Sequence, residues 1–192
     1  MASYNTSELK KGLKLEIDGE PFLIVESNFV KPGKGQALYK LKLKNLLRST
    51  VIDRTYKSGD SIDAADVREF EAQLLYRDGE GWVYMDGETY DQETLSDEQI
   101  GDELKWLKEG MNVRVLMWNN RPIQLSPPNQ VVYQVTEAEP AAKGNTATGL
   151  SKPITIETGA TINVPAFIEE GAFIRVDTRE AKYLERVKDA DS

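Results

Sequence analysis

Short runs in which every second residue is apolar dominate the chain. Leu13, Leu15 and Ile17 alternate with Lys14 and Glu16, run into Asp18-Gly19, and give way to an apolar-rich stretch from Pro21 to Phe29. This pattern reads as a β-hairpin. Further on, Tyr39, Leu41 and Leu43 alternate with Lys40, Lys42 and Lys44, the period of a strand with one face buried and one wet. Val51-Ile52 and Arg54 to Lys57 predict one more strand before Ser58-Gly59-Asp60. So many short strands without a long helix favour a small barrel.

A second unit is expected to begin near Asp66. Val67 to Tyr76 is strand-like, Asp78-Gly79-Glu80-Gly81 is a turn, Trp82 to Met85 is a second strand, and Asp86-Gly87 turns again. Ser96 and Gln99 have capping-box spacing, and Ile100, Leu104 and Leu107 continue at helical intervals to Gly110, which predicts one short helix or a pair of turns. Asn112 to Trp118 returns to strand, and Asn119-Asn120 turns before Ile123 and Leu125. Ser126-Pro127-Pro128-Asn129 is the strongest boundary signal, because two prolines deny ladder hydrogen bonds and stiffen the link. Beyond it Val131, Tyr133 and Val135 alternate, and Ala138 to Ser151 reads as a long loop. Short strands are expected around Ile154-Ile156, Thr161-Val164, Ala172-Val176 and Tyr183-Val187. The expectation is an all-β chain of three small β-barrel units, divided as 1–65, 66–128 and 129–192.

One turn carries candidate chemistry. In Phe29-Val30-Lys31-Pro32-Gly33-Lys34-Gly35-Gln36-Ala37 a single lysine stands between two glycines, with a β-like run on each side. Gly33 and Gly35 can take positive φ and Pro32 fixes its own, so a tight reversal would push the Lys34 amine outward. An ordinary solvated turn fits these residues as well. Proline and two glycines around one lysine, followed by a strand carrying Lys40, Lys42 and Lys44, favour insertion of the amine into a partner. An exposed tip is a poor place for the desolvated lysine of Schiff-base chemistry.

Composition narrows the remaining classes. The 192 residues include no histidine and no cysteine, so Ser-His-Asp and Cys-His constellations, thiolate chemistry and the usual zinc sites are excluded. No Walker or EF-hand spacing is present. No apolar run reaches the length of a membrane span and no signal-peptide core follows Met1, which together with the absence of cysteine predicts a cytoplasmic protein.

The net charge of −8 argues at first against nucleic acid, but its distribution is uneven. Residues 1–65 carry eleven basic and eight acidic side chains, residues 66–128 six and fourteen, and residues 129–192 seven and ten. Between Lys31 and Lys57, Lys31, Lys34, Lys40, Lys42, Lys44, Arg48, Arg54 and Lys57 are accompanied by Asp53 as the only acid. Lys40, Lys42 and Lys44 suit either the wet face of a half-buried strand or a phosphate-tracking stripe. Trp82, Tyr84, Trp106 and Trp118 lie in apolar runs, which favours core packing over stacking platforms for bases.

Taken together these residues resemble the bacterial elongation factor P family over nearly the whole chain. The resemblance rests on the Lys34 segment, on Leu41-Lys42-Leu43-Lys44-Asn45-Leu46-Leu47, and on Tyr76-Arg77-Asp78-Gly79-Glu80. Met85-Asp86-Gly87-Glu88-Thr89-Tyr90, Pro127-Pro128-Asn129, and Gly159 through Val164-Pro165 and Gly171 to Val176-Asp177-Thr178-Arg179 extend it. It implies an SH3-like (KOW-like) domain followed by two OB-fold domains in an L. It also implies a non-enzymatic translation factor that binds both ribosomal subunits between the P and E sites, contacts ribosomal RNA and relieves stalling at consecutive prolines.

By the same resemblance Lys34 is expected to carry a covalent extension of lysyl type, added by a separate modifying enzyme, and to point at the acceptor end of P-site peptidyl-tRNA. Lys31, Pro32, Gly33, Gly35 and Gln36 complete the tip, and Lys40, Lys42 and Lys44 form an RNA-facing strand. Gly144, Asn145 and Thr146 make a loop toward E-site mRNA, and Tyr183 and Arg186 lie near the P-site tRNA stem. The family usually has aspartate where Asn145 stands, alanine at Ile154 and an apolar aromatic at Gln130. A monomer with no metal, cofactor or membrane is expected. A paralogous elongation factor P-like protein, a general single-strand RNA-binding OB protein and a Lys34 Schiff-base enzyme are the alternatives.

Overall fold

A computed structural model describes residues 2–140 and 151–190. The chain packs as two compact units, Met1–Phe70 with Val115–Leu125, and Glu71–Arg114 with Ser126–Ser192.

The first seventy residues form a curled sheet. β1 (Ser3–Asn5) leads through a 3-10 turn into β2 (Lys14–Ile17), β3 (Glu20–Val30), β4 (Leu38–Asn45), β5 (Val51–Lys57) and β6 (Ser61–Asp63). β2 to β5 pair antiparallel in chain order, and β1 pairs with β6. The predicted β2–β3 hairpin is present, with both Asp18 (φ 53) and Gly19 (φ 75) left-handed, the geometry of a type I′ turn whose twist matches its strands. Leu9, Leu15, Ile17, Phe22, Ile24, Leu41, Leu43 and Ile62 make the core. A bulge between Ile24 and Glu26 shifts the β3–β4 register. Beyond it Ser27 stands opposite Leu41, and its hydroxyl donates to the Leu9 carbonyl at 2.8 Å.

The rest of the chain builds two sheets of one topology. β7 (Val67–Arg77), β8 (Gly81–Asp86), β9 (Gln92–Ser96), β10 (Asn112–Trp118) and β11 (Arg121–Ser126) lie in the order β11-β10-β7-β8-β9. β12 (Gln130–Ala138), β13 (Ser151–Ile156), β14 (Thr161–Pro165), β15 (Phe173–Asp177) and β16 (Lys182–Val187) lie in the order β14-β13-β12-β15-β16. In each, the first strand is central and carries a bulge. β14 also approaches β16, the closure of a five-stranded Greek-key barrel.

The capping box at Ser96 and Gln99 forms as predicted, but the helix α1 (Asp97–Ile100) lasts one turn before a 3-10 segment, Gly101–Trp106. That segment is tied to the C-terminal barrel. The buried Tyr133 hydroxyl donates to the Trp106 carbonyl at 2.6 Å, and the Thr158 hydroxyl to the Lys105 carbonyl at 2.5 Å. The Lys108 ammonium donates to the Val132 carbonyl and to Glu157. Burial pushes the Tyr133 phenol well above its ordinary pKa, so it stays a neutral donor.

Three strands were not legible in the periodicity. β1, β6 and β9 are three, three and five residues long, and β1 and β6 each bury one inward side chain to any extent, Tyr4 and Ile62. No helix among the described residues is long and apolar enough to cross a membrane.

Candidate functional site

The Lys34 segment joins β3 to β4. Their last rung is Val30 opposite Leu38, so residues 31–37 form a seven-residue loop and not the tight turn expected from the two glycines. Gly35 alone of the pair is left-handed, with φ 106; Gly33 does not use that region. The hairpin projects from the barrel, because the last residues of β3 and the first of β4 lose their burial. At its neck Phe29, 57 % exposed, keeps its ring 5.0 Å from that of Tyr39.

The returning limb of the loop is anchored, and the outgoing limb has no hydrogen bond among the described residues. The Gln36 amide donates to the Ser58 carbonyl, and the Ser58 amide donates to the Ala37 carbonyl at 2.8 Å. The Ser58-Gly59-Asp60 turn is itself held by Thr6, whose hydroxyl accepts from the Gly59 amide at 3.0 Å. Lys31, Gly33, Lys34, Gly35 and Gln36 are exposed and Pro32 is half-buried. Among the described residues the Lys34 amine has no ion pair or hydrogen bond. It therefore keeps all three donors for a partner or a covalent extension.

The basic stripe behind the tip is less basic than its linear spacing suggests. Lys42 pairs with Glu26 at 3.9 Å, Arg54 with Asp18 at 3.0 Å, and Arg48 with Glu20. These acids sit on β3 and its turn, so a count confined to residues 31–57 misses them. Lys40 is exposed and Lys44 half-buried, and neither has an ion pair among the described residues. Tyr56, on the opposite face and packed against the core, has a raised pKa from burial, partly offset by Arg54.

Gly144, Asn145 and Thr146 lie outside the described residues. Tyr183 and Arg186 are on β16, opposite Val176 and Ile174. Directly opposed residues share a sheet face. An odd spacing of three would put the pair on opposite faces of a regular strand, but the bulge at Leu184 brings both to one face. Among the aromatics, Trp82, Tyr84 and Trp106 are buried and Trp118 is partly buried, which leaves no row of stacking platforms among them.

Several of the motifs quoted above prove to be turn builders. Asn45, 2 % exposed, accepts from the amides of Leu47 and Arg48 and donates to Glu20, which shapes the β4–β5 turn. Asp78 accepts from the amides of Glu80 and Gly81, and Asp86 from those of Glu88 and Thr89. Asp177 accepts from Arg179 at 2.6 Å and from two backbone amides, which holds its pKa down at about 2. Thr178 beside it donates to the Pro128 carbonyl at 2.7 Å and so fixes the proline link. Asn or Asp followed by Gly, Leu or Thr was the signal for these roles.

An all-β chain in which a KOW-like sheet bears an exposed lysine loop and two OB barrels follow defines a class of translation factor. Three family models cover it in order: the elongation factor P KOW-like domain at residues 5–62, the elongation factor P OB domain at 67–125, and the elongation factor P C-terminal domain at 131–186. Elongation factor P of Rhodopirellula baltica is 52 % identical over 187 residues, spanning 97 % of this chain and 96 % of the relative. The chain belongs to the elongation factor P family. Its fold is also similar to eukaryotic translation initiation factor 5A from Methanococcus jannaschii, with a TM-score of 0.56 and 22 % identity over 66 % of this chain and 92 % of that one. An initiation factor 5A family protein from Naegleria fowleri gives 0.51 and 19 % over 65 % and 97 %.

Proposed function

We propose that this translation elongation factor binds the ribosome between the P and E sites and stimulates peptide-bond formation at consecutive prolines without chemistry of its own. The observation that carries the reading is Lys34, an unpaired amine at the end of a projecting hairpin whose returning limb is anchored. Proline restricts the geometry of the nascent chain and of the attacking amine. Holding the acceptor end of peptidyl-tRNA in a reactive pose lowers the entropic part of that barrier with no proton transfer by the factor. Ribosomal RNA remains the catalyst.

A covalent extension on Lys34, lysyl-type and added by a separate enzyme, lengthens the reach of the tip and adds donors. Lys31, Pro32, Gly33, Gly35 and Gln36 shape the approach to the tRNA end. Tyr183 and Arg186, sharing one face of β16, meet the P-site tRNA stem, and residues 144–146 meet mRNA. The factor works as a cytoplasmic monomer.

Lys34→Ala tests the reading. The fold is expected to survive within roughly 0.5 kcal/mol, since the side chain is exposed and unpaired, while rescue of a polyproline reporter is lost. Full rescue by the alanine variant refutes it. Intact mass of the protein from its own cells, with mapping of residues 31–40, reads the modification directly.

A further inference from the structure

We propose that Thr6 is a positioning residue for the Lys34 tip: its buried hydroxyl orients the Ser58–Gly59 peptide so that the Ser58 carbonyl faces Gln36. The inference rests on the reading of Lys34 above and gives a part in it to a residue that never approaches the tip.

One peptide unit is gripped from both sides. Its carbonyl, that of Ser58, accepts from the Gln36 side-chain amide, and its N–H, that of Gly59, donates to the Thr6 hydroxyl oxygen at 3.0 Å. The bond is trans, so the carbonyl and the N–H of this planar unit point in opposite directions and a group that fixes one fixes the other. Thr6 is 2 % exposed and opens the 3-10 turn Thr6–Glu8, which the Glu8 carboxylate braces by accepting from the Asn5 amide at 2.8 Å. The barrel therefore places the hydroxyl, and the hydroxyl places the carbonyl.

A turn of this sequence has two orientations open to its central peptide. Lys57-Ser58-Gly59-Asp60 is closed by the Asp60 amide donating to the Lys57 carbonyl at 3.1 Å, and of its two central residues Gly59 alone is left-handed, with φ 97. That combination is a type II turn. Type I differs from it by a half-rotation of the central peptide, which would carry the Ser58 carbonyl away from Gln36, and glycine tolerates both. The bond to Thr6 selects type II, and it polarises the peptide so that its carbonyl accepts more strongly. Docking of the turn itself has other supports. The Thr6 amide donates to the Asp60 carbonyl at 3.2 Å, and the Asp60 carboxylate accepts from the Lys57 amide at 2.8 Å. Loss of the hydroxyl thus frees the peptide plane and with it Gln36, while the Ser58 amide still holds the Ala37 carbonyl.

Nitrogen-15 relaxation of the full chain, with polyproline rescue compared at equal Lys34 modification by intact mass, tests the assignment. Thr6→Val keeps the buried bulk and removes the oxygen. Order parameters of the Gln36 side-chain amide and of the backbone from Lys34 to Gln36 are expected to fall to below about 0.6, that of Ala37 to hold, and rescue to drop several-fold. Thr6→Ser, smaller but with the oxygen kept, is expected to restore both, which a packing role for the threonine would not do. Gln36→Leu should loosen Lys34 as Thr6→Val does, and the double variant no further than either. In the unaltered protein the Gly59 amide is expected to be protected from hydrogen exchange despite its place in a surface turn. An unprotected Gly59 amide, unchanged order parameters in Thr6→Val, or a Thr6→Ser tip as loose as that of Thr6→Val overturns the assignment, and a loosened tip with undiminished rescue overturns the positioning role. Full rescue by Lys34→Ala overturns the reading of Lys34 itself, and this inference with it.

Discussion

Alanine at Gly81 should be among the most damaging single-methyl changes in the protein. The residue opens β8 directly opposite Ser96, the cap of α1. A Cβ placed on it would lie 2.0 Å from the Leu95 carbonyl oxygen and 2.8 Å from the Ser96 Cα. Ordinary contact begins near 3.4 Å, so the methyl falls more than an ångström short of fitting, and the opposing atoms are backbone and cannot rotate away. The strands must part at this rung. Overpacking a rigid site costs about 1–3 kcal/mol and a lost ladder hydrogen bond about 1 kcal/mol more, so ~3 kcal/mol is expected. At about 2–4 °C per kcal/mol for a chain of this size, the melting temperature should fall by ~6–12 °C. Calorimetry of Gly81→Ala beside Gly79→Ala supplies the control, because an added Cβ at Gly79 meets nothing within 4 Å. A Gly81→Ala melt matching that of Gly79→Ala would refute the reasoning.

Two further tests address the barrels. Tyr133→Phe deletes the hydroxyl that donates to the Trp106 carbonyl and leaves that buried oxygen unsatisfied; a loss of about 1–3 kcal/mol in urea unfolding is expected, and an unchanged midpoint would count against the tie. Asp177 has a folded pKa lowered from 3.8 to about 2 by its bond to Arg179, so the unfolded chain binds the proton more readily. Its contribution is therefore complete above pH 3.8 and disappears as the pH falls through about 2, and Asp177→Asn should flatten the acid limb of the stability curve in that window.

Much of this architecture was legible because period-two alternation survives wherever one face is wet. β4 and β10 match their predicted spans closely, and the turns at Asp18-Gly19 and Asn119-Asn120 use the left-handed backbone their residues tolerate. What escaped was of two kinds. Strands of three residues are too short to show a period, and they form because a partner strand satisfies them, as β6 does for β1. Charge compensation is the other, since Glu20, Glu26 and Asp18 reach their cations across strands and a linear count sees none of this. The bulge at Leu184 escaped as well, for nothing local marks it, yet it decides which way Arg186 faces. At the tip, the residue types announced exposure correctly, but two glycines overstated the tightness of the reversal.

The one-sided mooring of the loop bears on how the tip searches. With Gln36 and Ala37 fastened to the Ser58 turn and no hydrogen bond holding Lys31 to Gly33 among the described residues, the loop is a boom hinged along its inner edge. Any group attached at Lys34 is thereby tethered to the barrel on one side of the loop. A tether raises the group's effective concentration within its reach and removes orientational freedom before any target is met. Lengthening the side chain then extends that reach while the anchor stays where the barrel holds it.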